Sequence, residues 1–128
     1  MLAKTVFTEI DHNYVNPTTA KFATRVSQVF ADLGKWSHPE NADSYPRAEF
    51  VFNEYMTWAV FLLYARDHYD GKTFEAVQQR VVNQMVQGRK FGRFREFTEE
   101  LLRIYRERAP GQTIPALYPA ILAWAEKQ

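Results

Sequence analysis

The chain is expected to fold as a single all-α domain of five to six helices spanning residues 1–128. Three observations predict this. Apolar residues recur at the i, i+3/i+4, i+7 spacing of helices that bury one face. No stretch alternates apolar and polar residues as a half-buried strand would. Proline, glycine and Asp-Gly pairs punctuate the sequence at helix-length intervals.

Residues 4–15 read as a short helix with Val6, Ile10 and Tyr14 on its apolar side. Pro17 ends it, because the residue before a proline avoids helical backbone angles. Thr18 or Thr19 then caps a second helix to about Leu33, carrying Phe22, Val26, Val29, Phe30 and Leu33 on one face, with Gly34 as its stop. Residues 35–46 hold two prolines and several turn formers and read as a loop. Pro46 suits the first turn of a third helix, from about Arg47 to His68. Its middle, Phe50 to Ala65, is apolar nearly all round and marks the buried central helix. Asp70-Gly71 makes a turn. A fourth helix, about Thr73 to Gln87, aligns Phe74, Val77, Val81 and Met85. Gly88 and Gly92 bracket a break. A fifth helix, about Arg93 to Arg108, uses Phe94, Phe97, Leu101, Ile104 and Tyr105. Ala109-Pro110-Gly111 turns the chain into a last helix from Thr113-x-Pro115 to Glu126.

Composition narrows the functional classes. With 46% apolar residues, the chain has an ordinary globular character. Its aromatic content of 16% places bulky rings in the core. A net charge of +1, from 16 basic and 15 acidic residues, gives no general electrostatic reason to expect nucleic acid. Cysteine is absent, which excludes disulfides and thiolate metal sites. The longest apolar run, Tyr55 to Ala65, is too short to span a bilayer, so no membrane insertion is expected, and residues 1–15 lack a signal-peptide pattern.

Two constellations could carry chemistry. The first lies in Thr8-Glu9-Ile10-Asp11-His12. On a helix, positions 8 and 12 share a face with 9 beside them, the arrangement by which His-Glu-x-x-His offers two imidazoles to zinc and a carboxylate to the bound water. Here Thr8 stands where the first imidazole would be. Glu54 is its natural partner, because an uncompensated carboxylate in an apolar helix would cost several kcal/mol and calls for a cation, donors or an exposed face. The alternative for the same residues is a capping box from Thr8 to Asp11, with His12 an ordinary half-buried histidine and Glu54 paired with an arginine. The second constellation, Gly88-Arg89-Lys90-Phe91-Gly92-Arg93-Phe94-Arg95-Glu96-Phe97, interleaves cations and rings as a nucleic-acid surface does. It equally describes a helix junction whose Phe residues face the core while the cations stay in water. His38, in the loop, reads either as a solvated histidine or as a substitute nitrogen for the missing ligand.

The run Thr8-Glu9-Ile10-Asp11-His12-Asn13-Tyr14-Val15-Asn16-Pro17 resembles a family of bacterial proteins of unknown function with gluzincin-type metallopeptidase features, whose motif is His-Glu-x-x-His, Ser or Asn, an aromatic, Val, Asn and Pro. Asn53-Glu54-Tyr55-Met56-Thr57-Trp58-Ala59 is similar to that family's glutamate helix. The resemblance implies a fold like the helical part of a zincin, with His12 and Glu54 as zinc ligands and Glu9 as the catalytic general base. Thr8 departs from it, since a hydroxyl replaces imidazole poorly as a zinc ligand. Only seven residues precede Thr8, too few for the β lobe that gluzincins place there. The expectation is therefore a degenerate metallopeptidase domain with an inactive or altered metal site. A helical interaction module that binds a peptide, a protein or a second copy of itself is the competing expectation. Export is an implication of the resemblance alone.

Overall fold

The computed structural model describes residues 15–128, and every regular element among them is helical or a helical turn. Seven helices follow in order among the described residues: α1 Asn16–Lys21, α2 Ala23–Val29, α3 Leu33–Trp36, α4 Ala48–His68, α5 Gly71–Asn83, α6 Phe94–Arg106 and α7 Tyr118–Glu126. The expected helix over residues 4–15 lies almost wholly outside the described residues.

The central helix is α4, as its all-round apolar pattern requires. Val51, Phe52, Tyr55, Met56, Ala59 and Leu62 are among its buried residues. Helices α1, α2, α3, α5 and α6 pack directly on it, and α7 closes the core mainly through α2 and α6. The core is built from rings. Phe30 stacks on Trp36 with centroids 4.1 Å apart, and Phe52, Tyr55 and Phe97 meet Phe30 edge-on. Such edge-to-face pairs match the positive rim of one ring to the negative face of another.

Several sequence expectations are corrected. The helix over 18–33 is two helices, because Phe22 leaves helical geometry (φ −110°, ψ 19°) and stacks its ring on Tyr118 at 5.5 Å. Thr18 and Thr19 are buried rather than capping. Pro17 sits in the first turn of α1, where its missing N–H costs nothing. Gly34 does not stop a helix but lies inside α3, so the supposed loop 35–46 begins with a helical turn that buries Trp36, followed by a 3-10 turn at Pro39–Asn41. Finally, α5 ends at Asn83 and runs into a π turn over Gln84–Gly88, marked by Arg89 N donating to the Gln84 carbonyl at 2.9 Å.

Helix α5 starts at Asp70. Its carboxylate accepts from the Thr73 backbone N–H at 2.8 Å and from the Thr73 hydroxyl at 3.1 Å. Such a side chain satisfies donors that the first turn of a helix leaves open. These bonds hold the Asp70 carboxyl below its ordinary value of 3.8. A depressed carboxyl contributes stability above its unfolded pKa that is lost as pH falls through the folded one. The melting-temperature gap between wild type and Asp70→Ala should therefore shrink as pH drops from about 5 to about 3. A gap that stays constant across that range would mean that the charged carboxylate is not the cap.

Candidate functional site

Of the residues singled out in the sequence, Thr8, Glu9, Asp11 and His12 lie outside the described residues. Glu54 and His38 lie within them. Glu54 sits in the second turn of α4, on the edge of the buried face, with its side chain about a quarter exposed (27%). The cation it needs comes from the break between α5 and α6: Arg89 Nη1 stands 3.1 Å from Glu54 Oε2. The same guanidinium lies 5.5 Å from the centroid of the Trp58 ring, one turn further along α4. Tyr45, from the loop before α4, faces the pair. Its burial, and next the negative charge of Glu54, push the phenol pKa above the usual value. Beside Glu54 in the chain, Asn53 has a buried side-chain oxygen with no hydrogen-bond partner among the described residues.

The π turn explains how Arg89 reaches this place. Widening the helix by one residue at Gln84–Gly88 shifts the chain direction. Lys90 then takes a left-handed conformation, with φ 61°. Few non-glycine residues adopt it. The exposed carbonyls of this bend are taken up by the 35–46 segment. The Arg89 carbonyl accepts from Asn41 Nδ2 at 2.8 Å, and the Lys90 carbonyl accepts from the His38 N–H at 3.1 Å. Asn41 Nδ2 also donates to Ser37 Oγ at 2.9 Å. From below, the Tyr55 hydroxyl donates to the Trp36 carbonyl and accepts from the Arg93 N–H at 3.3 Å. One tyrosine of the central helix thus joins both irregular segments.

His38 is held by its own turn. Its Nδ1 accepts from the Glu40 N–H at 3.1 Å, which places the proton of a neutral ring on Nε2. Glu40 also meets Lys90 Nζ at 2.9 Å, and that contact is the main reason its carboxyl titrates low. His38, Lys35, Ser37 and Lys90 line an open depression of about 350 Å³. Among the described residues no group of three or more His, Asp or Glu side chains converges as a metal site would require.

The interleaved stretch 88–97 is sorted by the fold. Phe91, Phe94 and Phe97 are fully buried, Arg89 and Lys90 are engaged with carboxylates, and Arg93 lies 5.9 Å from the Trp36 ring centroid. No helix among the described residues is long and apolar enough to cross a membrane.

The sequence pointed to Glu54 and its need for a cation, and named an arginine as one alternative, without saying which. Arg89, Tyr45 and Asn41 were not foreseen as its neighbourhood. The one signal for them was the break between two glycines, which carries Arg89. No family model matches the chain, and neither a curated protein nor a solved structure is significantly similar to it.

Proposed function

We propose that this chain is a degenerate gluzincin-like metallopeptidase domain without peptidase activity, in which the Arg89 guanidinium stands at the Glu54 carboxylate in place of a metal ion. The metallopeptidase-like part of this reading rests on the resemblance of residues 8–17 and 53–59, and the ion pair at 3.1 Å between Arg89 Nη1 and Glu54 Oε2 supports the loss of metal binding. A carboxylate can serve a tetrahedral zinc only if its charge is directed at the ion, and a neighbouring guanidinium both competes for its lone pairs and repels a divalent cation. Thr8 weakens the site further, since a neutral hydroxyl replaces the first imidazole. In this reading His12 and Glu9 keep their places in the motif while the charge balance at Glu54 is met by the protein itself.

The test is zinc binding by calorimetry on protein purified without chelator. Wild type is expected to carry no stoichiometric zinc and to cleave no peptide. Arg89→Gln combined with Thr8→His should gain at least about tenfold in zinc affinity, a change worth about 1.4 kcal/mol. Adding Glu54→Gln to that pair should abolish the gain. Stoichiometric zinc in the wild type that disappears with Glu54→Gln would overturn the proposal.

A further inference from the structure

The bend between α5 and α6 carries a backbone strain that its own sequence does not explain. Lys90 is left-handed, with φ 61°, in a conformation that helix endings usually give to glycine. Gly88 and Gly92 stand two residues away on either side, yet the lysine takes the turn. A non-glycine residue keeps such a conformation only where its surroundings offset the cost. Part of that compensation is internal, since the Phe91 N–H donates to the Met85 carbonyl at 2.9 Å and bridges the end of the π turn. The remainder comes from outside the bend.

The 35–46 segment lies against the bend and holds two successive carbonyls. Asn41 Nδ2 donates to the Arg89 carbonyl at 2.8 Å, and the His38 N–H donates to the Lys90 carbonyl at 3.1 Å. Asn41 is fixed in turn by its bond to Ser37 Oγ at 2.9 Å and by its own carbonyl, which accepts from the Tyr45 N–H at 2.8 Å. The Tyr45 ring then meets Phe91 edge-on, with centroids 5.4 Å apart. Glu40 adds a contact to Lys90 Nζ at 2.9 Å, but both side chains are about half exposed and such a pair contributes little. The bonds to the two carbonyls therefore matter most. They fall on the residues whose backbone sets where the Arg89 side chain goes. A relaxed, right-handed Lys90 would differ by about 120° in φ, a rotation that parts the two carbonyls from their donors.

We propose that the 35–46 segment is a strap that positions Arg89. While Asn41 and the His38 N–H hold the bend left-handed, the guanidinium stands at Glu54; when the strap lifts, Lys90 relaxes and Arg89 leaves. The two contacts then form one equilibrium, and each strengthens the other to the same degree. Asn41 is a positioning residue, acting on the guanidinium through the Arg89 backbone. The inference concerns what places Arg89 and is independent of any metal chemistry at Glu54.

The experiment follows the full chain by NMR with two readouts. The first is the Arg89 side-chain protons, which feel the ring current of Trp58 because the guanidinium carbon lies 5.5 Å from that ring's centroid. The second is the exchange rate of the His38 amide. Asn41→Ala should move the Arg89 protons at least about halfway to the values of a solvated arginine and speed His38 exchange at least about tenfold. Mid-α4 amides should keep their protection. Adding Lys90→Gly should restore the Arg89 shifts, because glycine adopts the left-handed conformation without the strap. An asparagine with a merely structural role would not be rescued in this way. Arg89→Ala leaves Asn41 and its backbone acceptor in place, yet coupling requires it to speed His38 exchange by at least about threefold. The proposal is overturned if Asn41→Ala leaves the Arg89 shifts at wild-type values, or if Lys90→Gly does not restore them. Unchanged His38 exchange in Arg89→Ala overturns it too, as does loss of mid-α4 protection in Asn41→Ala, since a strap lifts without unfolding the core. None of these readouts involves zinc, so their failure is distinct from failure of the zinc-binding test.

Discussion

Trp36→Ala is expected to lower the free energy of unfolding by about 3–5 kcal/mol, the range typical of removing a large buried aromatic. Trp36 is fully buried although it comes from a segment rich in prolines and turn formers. Its ring stacks on Phe30, with planes 14° apart, and meets Tyr55 and Trp124 edge-on at 5.7 and 6.3 Å. It therefore joins α2, α4 and α7 as well as anchoring its own turn. Truncation leaves a cavity walled by three other rings on different helices, which cannot all move in to fill it. Against a total stability of roughly 5–15 kcal/mol, such a loss takes a large share and can populate the unfolded chain at room temperature. Urea titration measures it directly: the midpoint should fall sharply while the slope stays constant. A loss below about 1 kcal/mol would mean that the ring does not sit in a close-packed site.

Sequence reasoning placed Trp36 in a loop, and the reason is physical. Helical periodicity is visible only where an element runs long enough to repeat. The long α4 declared itself through Phe50 to Ala65, and Phe94, Phe97 and Leu101 of α6 fell on the expected buried face. Leu33–Trp36 is a single turn, too short for any period, and its one fully buried residue precedes Ser-His-Pro, which reads as irregular. The π turn was hidden for the opposite reason. Val81 and Met85 keep helical spacing across it, so the pattern continues while the backbone widens. The break at Phe22 leaves no mark either, because its ring finds Tyr118 near the other end of the chain.

The candidate site divides in the same way. Glu54 could be recognised from the sequence because a carboxylate among apolar neighbours is a local conflict that some partner must resolve. The identity of that partner could not. Arg89, Lys90, Arg93 and Arg95 are equivalent in composition, and only the widened turn and the left-handed Lys90 decide that Arg89 reaches Glu54 while Lys90 reaches Glu40. The motif around Glu9 and His12 lies outside the described residues, so its role rests on the sequence and on the experiments proposed for Glu54.

Tyr55→Phe should cost about 1–3 kcal/mol, far more than the loss of one oxygen from a protein surface. The ring stays and fills the same space, so the change isolates the hydroxyl. That hydroxyl sits in the core, donating to the Trp36 carbonyl and accepting from the Arg93 N–H. Phenylalanine leaves both backbone groups without this partner in a water-poor place, and the desolvation of each then goes uncompensated. The two groups belong to different irregular segments, one before α4 and one at the start of α6. The variant should therefore loosen these two segments selectively, seen as faster amide hydrogen exchange at Arg93 and across residues 35–46 while mid-α4 amides keep their protection. The melting temperature should fall on the order of 5 °C. Alkaline pH gives an independent check. Burial raises the Tyr55 phenol pKa above its ordinary value of 10.0. A group whose folded pKa is raised contributes stability below its unfolded pKa and loses it as pH rises toward the folded one. Wild type should thus lose stability above about pH 10, and Tyr55→Phe should lose less over the same interval. Part of that decline must remain in the variant, because burial raises the Tyr118 phenol in the same way. If exchange at Arg93 and in the 35–46 segment is unchanged and the alkaline decline is as steep as in wild type, ring packing alone joins these segments to α4 and the hydroxyl is a bystander.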